Sequence, residues 1–273
     1  MSIAKSFAIA VFTTIASFAS AHEVWLEPLQ WEVPDEAIVQ ARLLNGEGFK
    51  GAELLWDPRV IVRAQRWQGD DGADIAGRFG DNPALATNAA ETGLLTLVYQ
   101  SAPNTVVYES YDKFALFVAE KGFDTALADH AVRDLPRAPI KEAFSRHVKT
   151  LMAVGDGRGA DVPRGLEIEI VALTNPYTAD PAQPMQFQAL YQSAPLADHL
   201  VTLFERTPEG EVNVQSVRSD ATGIASFVTK AGNTYLVDAV VLRVPARDLV
   251  LQTRGAVWES LWASLTFRVP YRQ

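Results

Sequence analysis

Cysteine is absent from all 273 residues. That excludes disulfides, thiolate metal sites and cysteine nucleophiles, so stability has to come from the packed core alone. Methionine is nearly absent. Of three residues one is Met1, and Met152 and Met185 are too few for a methionine-rich copper(I) shuttle. Histidine is scarce as well: His22, His130, His147 and His199, with no HxH, HxxxH or HExxH spacing. No self-contained metal motif is therefore present, and any metal site must be assembled from distant segments. The chain also lacks a Gly-x-Ser-x-Gly elbow, a phosphate loop and a dinucleotide fingerprint. It reads as a non-enzyme. Basic residues are outnumbered, 24 against 33 acids, for a net charge of −9. This argues against nucleic acid and anionic lipid as partners.

Long apolar runs are missing too, except near the start. Residues 1–21 carry Lys5, an apolar run from Phe7 to Ile15, no acid, and small residues at Ala19 and Ala21. That is the pattern of a secretory signal peptide with an A-x-A cleavage site, and it is too short and too rich in Ser and Thr to span a membrane. The expectation is a periplasmic protein cut after Ala21, with net charge −10 once Lys5 is lost and no membrane span. The remaining 252 residues fit one large or two modest domains.

What is present is mostly strand signal. Residues 37–44 alternate partly and end at the turn Asn45-Gly46-Glu47-Gly48; residues 60–64 and 94–99 are further strands. Gln68–Asp74 is a hairpin tip whose three Asp residues miss the spacing of a helix–loop–helix calcium site. From Asp112 the period becomes helical. Phe114, Phe117 and Val118 fall at i, i+3, i+4 before Gly122, and Asp124 caps a second short helix with Leu127 and Ala131 on one face. A third helix is expected after Pro139, with Ile140, Phe144, Val148 and Leu151 as its apolar stripe and Lys141, Glu142, Ser145, Arg146 and Lys149 facing water. Strands resume at 166–171, 185–191, 200–204, 224–227 and 235–242, separated by turns such as Pro208-Glu209-Gly210. The expected fold is mainly β. Two β-sandwiches of immunoglobulin or transthyretin type span residues 22–111 and 165–273, joined by a helical connector over 112–164. Glu167 and Glu169 share one face of a strand and read as its outer, solvated side.

Several segments together resemble a family of bacterial exported proteins whose domain is one of unknown function, numbered 4198, and which is often labelled a periplasmic component of nickel/cobalt transport. They are residues 22–28 (HEVWLEP), 44–51 (LNGEGFKG), 146–151 (RHVKTL), 165–169 (GLEIE), Asn175-Pro176-Tyr177, Pro195-Leu196, Ser219-Asp220 with Gly223, and 258–267 (WESLWASLTF). They span nearly the whole mature chain. His147 departs from the family pattern, which carries an aromatic residue there. The resemblance implies export and a role beside a membrane transporter for metal ions.

The histidines supply the candidate chemistry. As a mature N-terminus His22 offers a metal its α-amine and an imidazole nitrogen, a donor pair that suits copper(II) and is accepted by nickel and cobalt; Glu23 could add an oxygen. His147 lies on or beside the apolar stripe of the expected third helix and His130 lies after Leu127, so each is either a second metal ligand or a core histidine with ordinary hydrogen bonds. His199 falls in a turn and reads as plain surface, and Ser264 reads as structural. The functional reading is an exported metal-binding accessory protein, linked to nickel, cobalt or copper uptake, with His22, Glu23, His130 and His147 as candidate ligands. The alternative is a non-catalytic module that binds carbohydrate or protein through some of its six tryptophans, most of which are expected in the cores. A copper oxidase acting on polysaccharide shares the His22 logic but needs a second histidine on a strand.

Overall fold

The computed structural model describes residues 22–89, 91–180 and 182–271. The expected signal peptide, residues 1–21, lies outside the described residues. The chain runs β1 (Glu23–Pro28), β2 (Glu32–Val33), β3 (Ile38–Glu47), β4 (Lys50–Leu54), β5 (Ile61–Gln68), β6 (Asp71–Asp74), β7 (Leu85–Asn88), β8 (Gly93–Ser101) and β9 (Asn104–Tyr108). The helices α1 (Tyr111–Glu120) and α2 (Ala126–Val132) come next, then β10 (Ile140–Val154). The remainder is β11 (Ile168–Ala172), β12 (Met185–Tyr191), β13 (Ala194–Pro195), β14 (Leu200–Arg206), β15 (Val212–Arg218), β16 (Ile224–Phe227), β17 (Thr234–Arg243), α3 (Arg247–Gln252) and β18 (Trp258–Arg268). The mainly β expectation holds, in several sheets.

The first two expected helices form, α1 with Ser110 as N-cap and Gly122 at positive φ just beyond its end. The third does not. Residues 140–154 are a 15-residue strand in the middle of a ten-stranded sheet, ordered β15-β14-β17-β18-β10-β8-β5-β6, with β2 and β9 also paired to β10. The connector reading therefore applies to α1 and α2 and not to β10. β10 pairs in parallel with β18 from Glu142↔Trp258 to Thr150↔Thr266, and antiparallel with β8 and β9. Strands from both parts of the chain thus flank it.

The helical misreading has a physical cause. A strand buried on both faces shows no alternation of apolar and polar residues. Here 13 of 15 positions are buried or nearly so, including Glu142, Arg146, His147 and Lys149. Even positions (Val148, Met152, Val154) pack into a core under the β1-β3-β4 sheet, and odd positions (Leu151, Ala153) pack into a second core under the β11-β12-β13 sheet. The two small sheets cover opposite faces of one shared central sheet. α1 and α2 cover what β1 and β3 leave open, through Phe114, Phe117 and Val118 against Trp258 and Trp262.

The β3–β4 hairpin shows how local sequence sets one edge of this arrangement. Its turn, Gly48-Phe49, has φ near +60° at both residues, the mirror-image turn that matches strand twist. Phe49 accepts that conformation because its ring is 1% exposed, lies edge-on to Trp25 at 5.4 Å and sits beneath the Arg206 guanidinium at 4.3 Å. Gly51 must lack a Cβ, since one would lie 2.7 Å from Trp25 Cη2.

On the other face, Lys149 is 1% exposed and its Nζ lies 2.8 Å from the Asp161 carboxylate and 3.1 Å from Glu169. Glu169 also accepts the backbone N–H groups of Arg164 and Leu166, and Asp161 that of Ala172. Glu169 is therefore an interior group, which corrects its expected place on a solvated face; Glu167, half-buried, pairs with Arg243. This lysine fastens β10 to β11 and to the segment before it. Removing the lysine would leave two buried carboxylates without a cation. Lys149→Met is expected to lower unfolding stability by about 3–5 kcal/mol, read from the urea midpoint at pH 7, while an exposed control such as Lys50→Met changes it by less than about 0.5 kcal/mol.

Candidate functional site

Polar groups also collect on the other face of the central sheet, where β1 and α1 close over β10, β17 and β18. Glu23 opens β1, Lys121 follows α1, Asp238 sits mid-β17, Glu142 and Arg146 are even positions of β10, and Ser260 and Trp262 lie beside them on β18. Lys121 Nζ bonds Glu23 Oε1 at 2.9 Å and Asp238 Oδ2 at 3.2 Å, and stands 4.7 Å from the centre of the Trp262 ring. The Arg146 guanidinium also lies over that ring, at 4.3 Å. Trp262 Nε1 donates to Ser260 Oγ at 2.8 Å, Ser260 Oγ donates to Glu142, and the Tyr108 hydroxyl donates to Glu142 Oε2 at 2.9 Å.

Burial controls the protonation of these groups. It pushes the Glu142 carboxyl up to about 7 against the hydrogen bonds from Ser260 and Tyr108. It lifts Asp238 to about 6, although Lys121 pulls the other way. Burial lowers Lys121, but Asp238 and Glu23 more than offset that and hold it above the usual ammonium range. Arg146 is pushed down to about 10 by desolvation.

Several buried polar atoms in this part of the molecule have no described partner: Arg146 Nε and Nη1, Glu23 Oε2, His22 Nδ1 and, on the opposite face of β10, His147 Nδ1. The backbone accounts for those on β10. β8 leaves β10 after the pair Leu151↔Thr96, and β9 joins it only at Phe144↔Asn104. Between them the ladder is interrupted, and Arg146 N–H is taken by Ser101 Oγ at 3.0 Å instead. Arg146 and His147 lie in that interruption.

The four candidate ligands do not converge. Among the described residues no three His, Asp or Glu side chains are placed to share a metal ion. His130 is buried in the aromatic cluster under α1; its Nδ1 accepts from Trp258 Nε1 at 3.0 Å and its Nε2 lies 3.1 Å from the Pro136 carbonyl, which fixes the neutral tautomer with Nε2–H donating and leaves neither nitrogen free. His147 points to the face opposite Arg146, is 1% exposed and hydrogen-bonds the Trp262 backbone. His22 is half-buried at the head of β1 with Nδ1 unpaired, and Glu23 is engaged by Lys121 through one oxygen only. His199, expected at the surface, is half-buried with Nε2 2.8 Å from the Val240 carbonyl. Ser264 is structural, donating to the Val24 carbonyl at 2.6 Å.

The sequence reading missed Lys121, Asp238, Arg146 and Glu142 as members of one cluster. One signal was available: Asp238 interrupts the apolar strand Tyr235–Leu242, and a charge in such a run calls for a buried partner. Trp25, Trp56, Trp258 and Trp262 are buried, while Trp31 and Trp67 are half-buried.

A model of the family described as Domain of unknown function (DUF4198) matches residues 19–243. No curated protein matches. A solved structure described as the "Crystal structure of tetra-tandem repeat in extending region of large adhesion protein" is similar at 11% identity and TM-score 0.21, over 91% of this chain and 50% of that one. The chain thus spans about half the length of that structure, and a superposition of this quality carries no argument about function.

Burial holds the His147 imidazole at about 4, below its ordinary 6.5. The folded state then binds fewer protons than the unfolded state, so this residue costs stability as pH falls from 6.5 through 4. His147→Gln is expected to lose less stability than the parent over that interval, by roughly 3 kcal/mol once the imidazole is fully protonated. Urea unfolding at pH 7, 5.5 and 4 measures the difference. Glu142 and Asp238 titrate equally in both proteins and cancel.

Proposed function

The chain belongs to this domain-of-unknown-function family (DUF4198), and from that premise we infer that it is an exported metal-binding accessory protein serving the uptake of nickel, cobalt or copper. Its ligand is His22 as mature N-terminus, and its partner is a membrane transporter for metal ions. The observation that carries this reading is the pair of unpaired atoms at the head of β1, His22 Nδ1 and Glu23 Oε2. His22 Nδ1 and, on the following residue, Glu23 Oε2 are a nitrogen and an oxygen of the kinds these divalent ions take. Cleavage after Ala21 would add the α-amine of His22, a donor that belongs to no side chain. His130 has no nitrogen to give and stands outside the site, and His147 contributes nothing to it. The protein's own part is to place His22 just ahead of β1 and to hold Glu23 through Lys121. Among the described residues no helix is long and apolar enough to cross a membrane, which suits a protein that works beside a transporter.

The test has two steps. N-terminal sequencing of the exported protein is expected to read His22 first. Calorimetric titration of that protein with Ni(II), Co(II) and Cu(II) is expected to give one site, and a form with a single glycine ahead of His22 is expected to lose on the order of 100-fold in affinity, no less than loss of an outer-shell partner costs. Equal affinity of the two forms would overturn the reading.

A further inference from the structure

A second site lies elsewhere, on residues that play no part in the metal reading. Where β4 ends and the chain turns towards β5, the β1-β3-β4 sheet and the edge of the central sheet part to leave a cavity of about 310 Å³. Leu43, Leu54 and Leu85 wall it on one side, Ile61 and Tyr99 on the other, and Trp56 lies between. That volume falls at the lower end of the range for small-molecule sites. We propose that this cavity binds a neutral small molecule with an aromatic body and a carbonyl or similar hydrogen-bond acceptor.

Three observations carry the proposal. The first is the mouth. Leu54, Leu55, Val60 and Phe79 all line the cavity and are 38%, 51%, 43% and 67% exposed. Scattered apolar surface is ordinary, but four large side chains around one opening form a patch of the kind that marks a binding site.

The second is a donor without an acceptor. Trp56 is 5% exposed and its Nε1–H has no partner among the described residues. The indole cannot swing to find one, because the Gly77 backbone lies against its face: a Cβ at Gly77 would fall 2.5 Å from Cδ2. A buried, pinned and unpaired indole N–H is satisfied by an acceptor brought from outside. The Tyr99 phenol, held protonated by burial at about 12, leaves a second neutral hydroxyl in the wall.

The third is charge. Asp57 and Arg59 are the charged residues that line the cavity, and they neutralise each other: Arg59 Nη2 and Nε lie 2.6 and 2.8 Å from the two Asp57 oxygens. The guanidinium stands 5.0 Å over the Phe79 ring at the rim. An ionic ligand would find no free counter-charge, whereas an aromatic one would find Phe79, Tyr99 and Trp56.

The probes are 2-acetylnaphthalene and the hydrocarbon 2-isopropenylnaphthalene, which match in shape and differ in a carbonyl oxygen against a methylene, titrated against the mature full-length chain. Both are expected to bind one saturable site. The ketone should bind about fivefold more tightly, the worth of one net hydrogen bond, and it alone should move the Trp56 indole N–H resonance downfield. Trp56→Phe is expected to equalise the two. Val60→Arg, at an exposed rim position, is expected to abolish binding of both with an unchanged thermal midpoint, so the proposal does not depend on Trp56→Phe folding well. The proposal fails if neither probe saturates, if ketone and hydrocarbon bind alike to the parent, or if Val60→Arg leaves binding intact. It also fails if sedimentation shows that Val60→Arg splits a dimer, since the mouth would then be an interface between two copies.

Discussion

Everything in this fold depends on one strand being buried on both faces. β10 carries its even side chains into one core and its odd side chains into another, with a sheet over each face. A strand in that position cannot use water to satisfy its polar groups. Each ionisable group it carries must find a counter-charge or hydrogen-bond partners inside the protein. Lys149 does so with Asp161 and Glu169, and Glu142 with Ser260 and the phenol of Tyr108. These partners come from both before and after β10 in sequence, so the polar interior ties segments from both parts of the chain to the same strand.

Arg146 and His147 are the exceptions, and they mark where the structure is least self-sufficient. Both lie where β8 has left β10 and β9 has not yet joined it. A guanidinium stacked on Trp262 gains from the ring, but stacking does not replace the hydrogen bonds that Nε and Nη1 lack. The head of β1 lies in the same layer, with Glu23 locked to Lys121 and His22 left open.

How much of this could be read from the sequence follows from where partners lie along the chain. Short antiparallel strands with Gly, Pro and Asp turns were legible, because β3, β8, β12, β14 and β17 alternate or end at recognisable turns. α1 and α2 were legible from their local period. β10 was not. Ile140, Phe144, Val148 and Leu151 fall at near-helical spacing by coincidence, and Glu142, Arg146 and Lys149 look solvated when their partners lie 12 to 118 residues away. The same distance hid the Glu23–Lys121–Asp238 contacts. His22 was legible as a donor but not its neighbourhood, and His130 looked like a candidate ligand until Trp258 and Pro136 were seen to occupy its nitrogens.

The parallel pairing of β10 with β18 bears on how the chain must fold. A hairpin can close as soon as its two strands exist, but β10 and β18 are separated by β11 to β17 and α3. Contacts of that separation form late and slowly. Until β18 (Trp258–Arg268) arrives, β10 presents a long bare edge carrying buried-type side chains, which is the kind of surface that pairs with other chains. This makes β18 the latch that joins β17 to β10 in the central sheet.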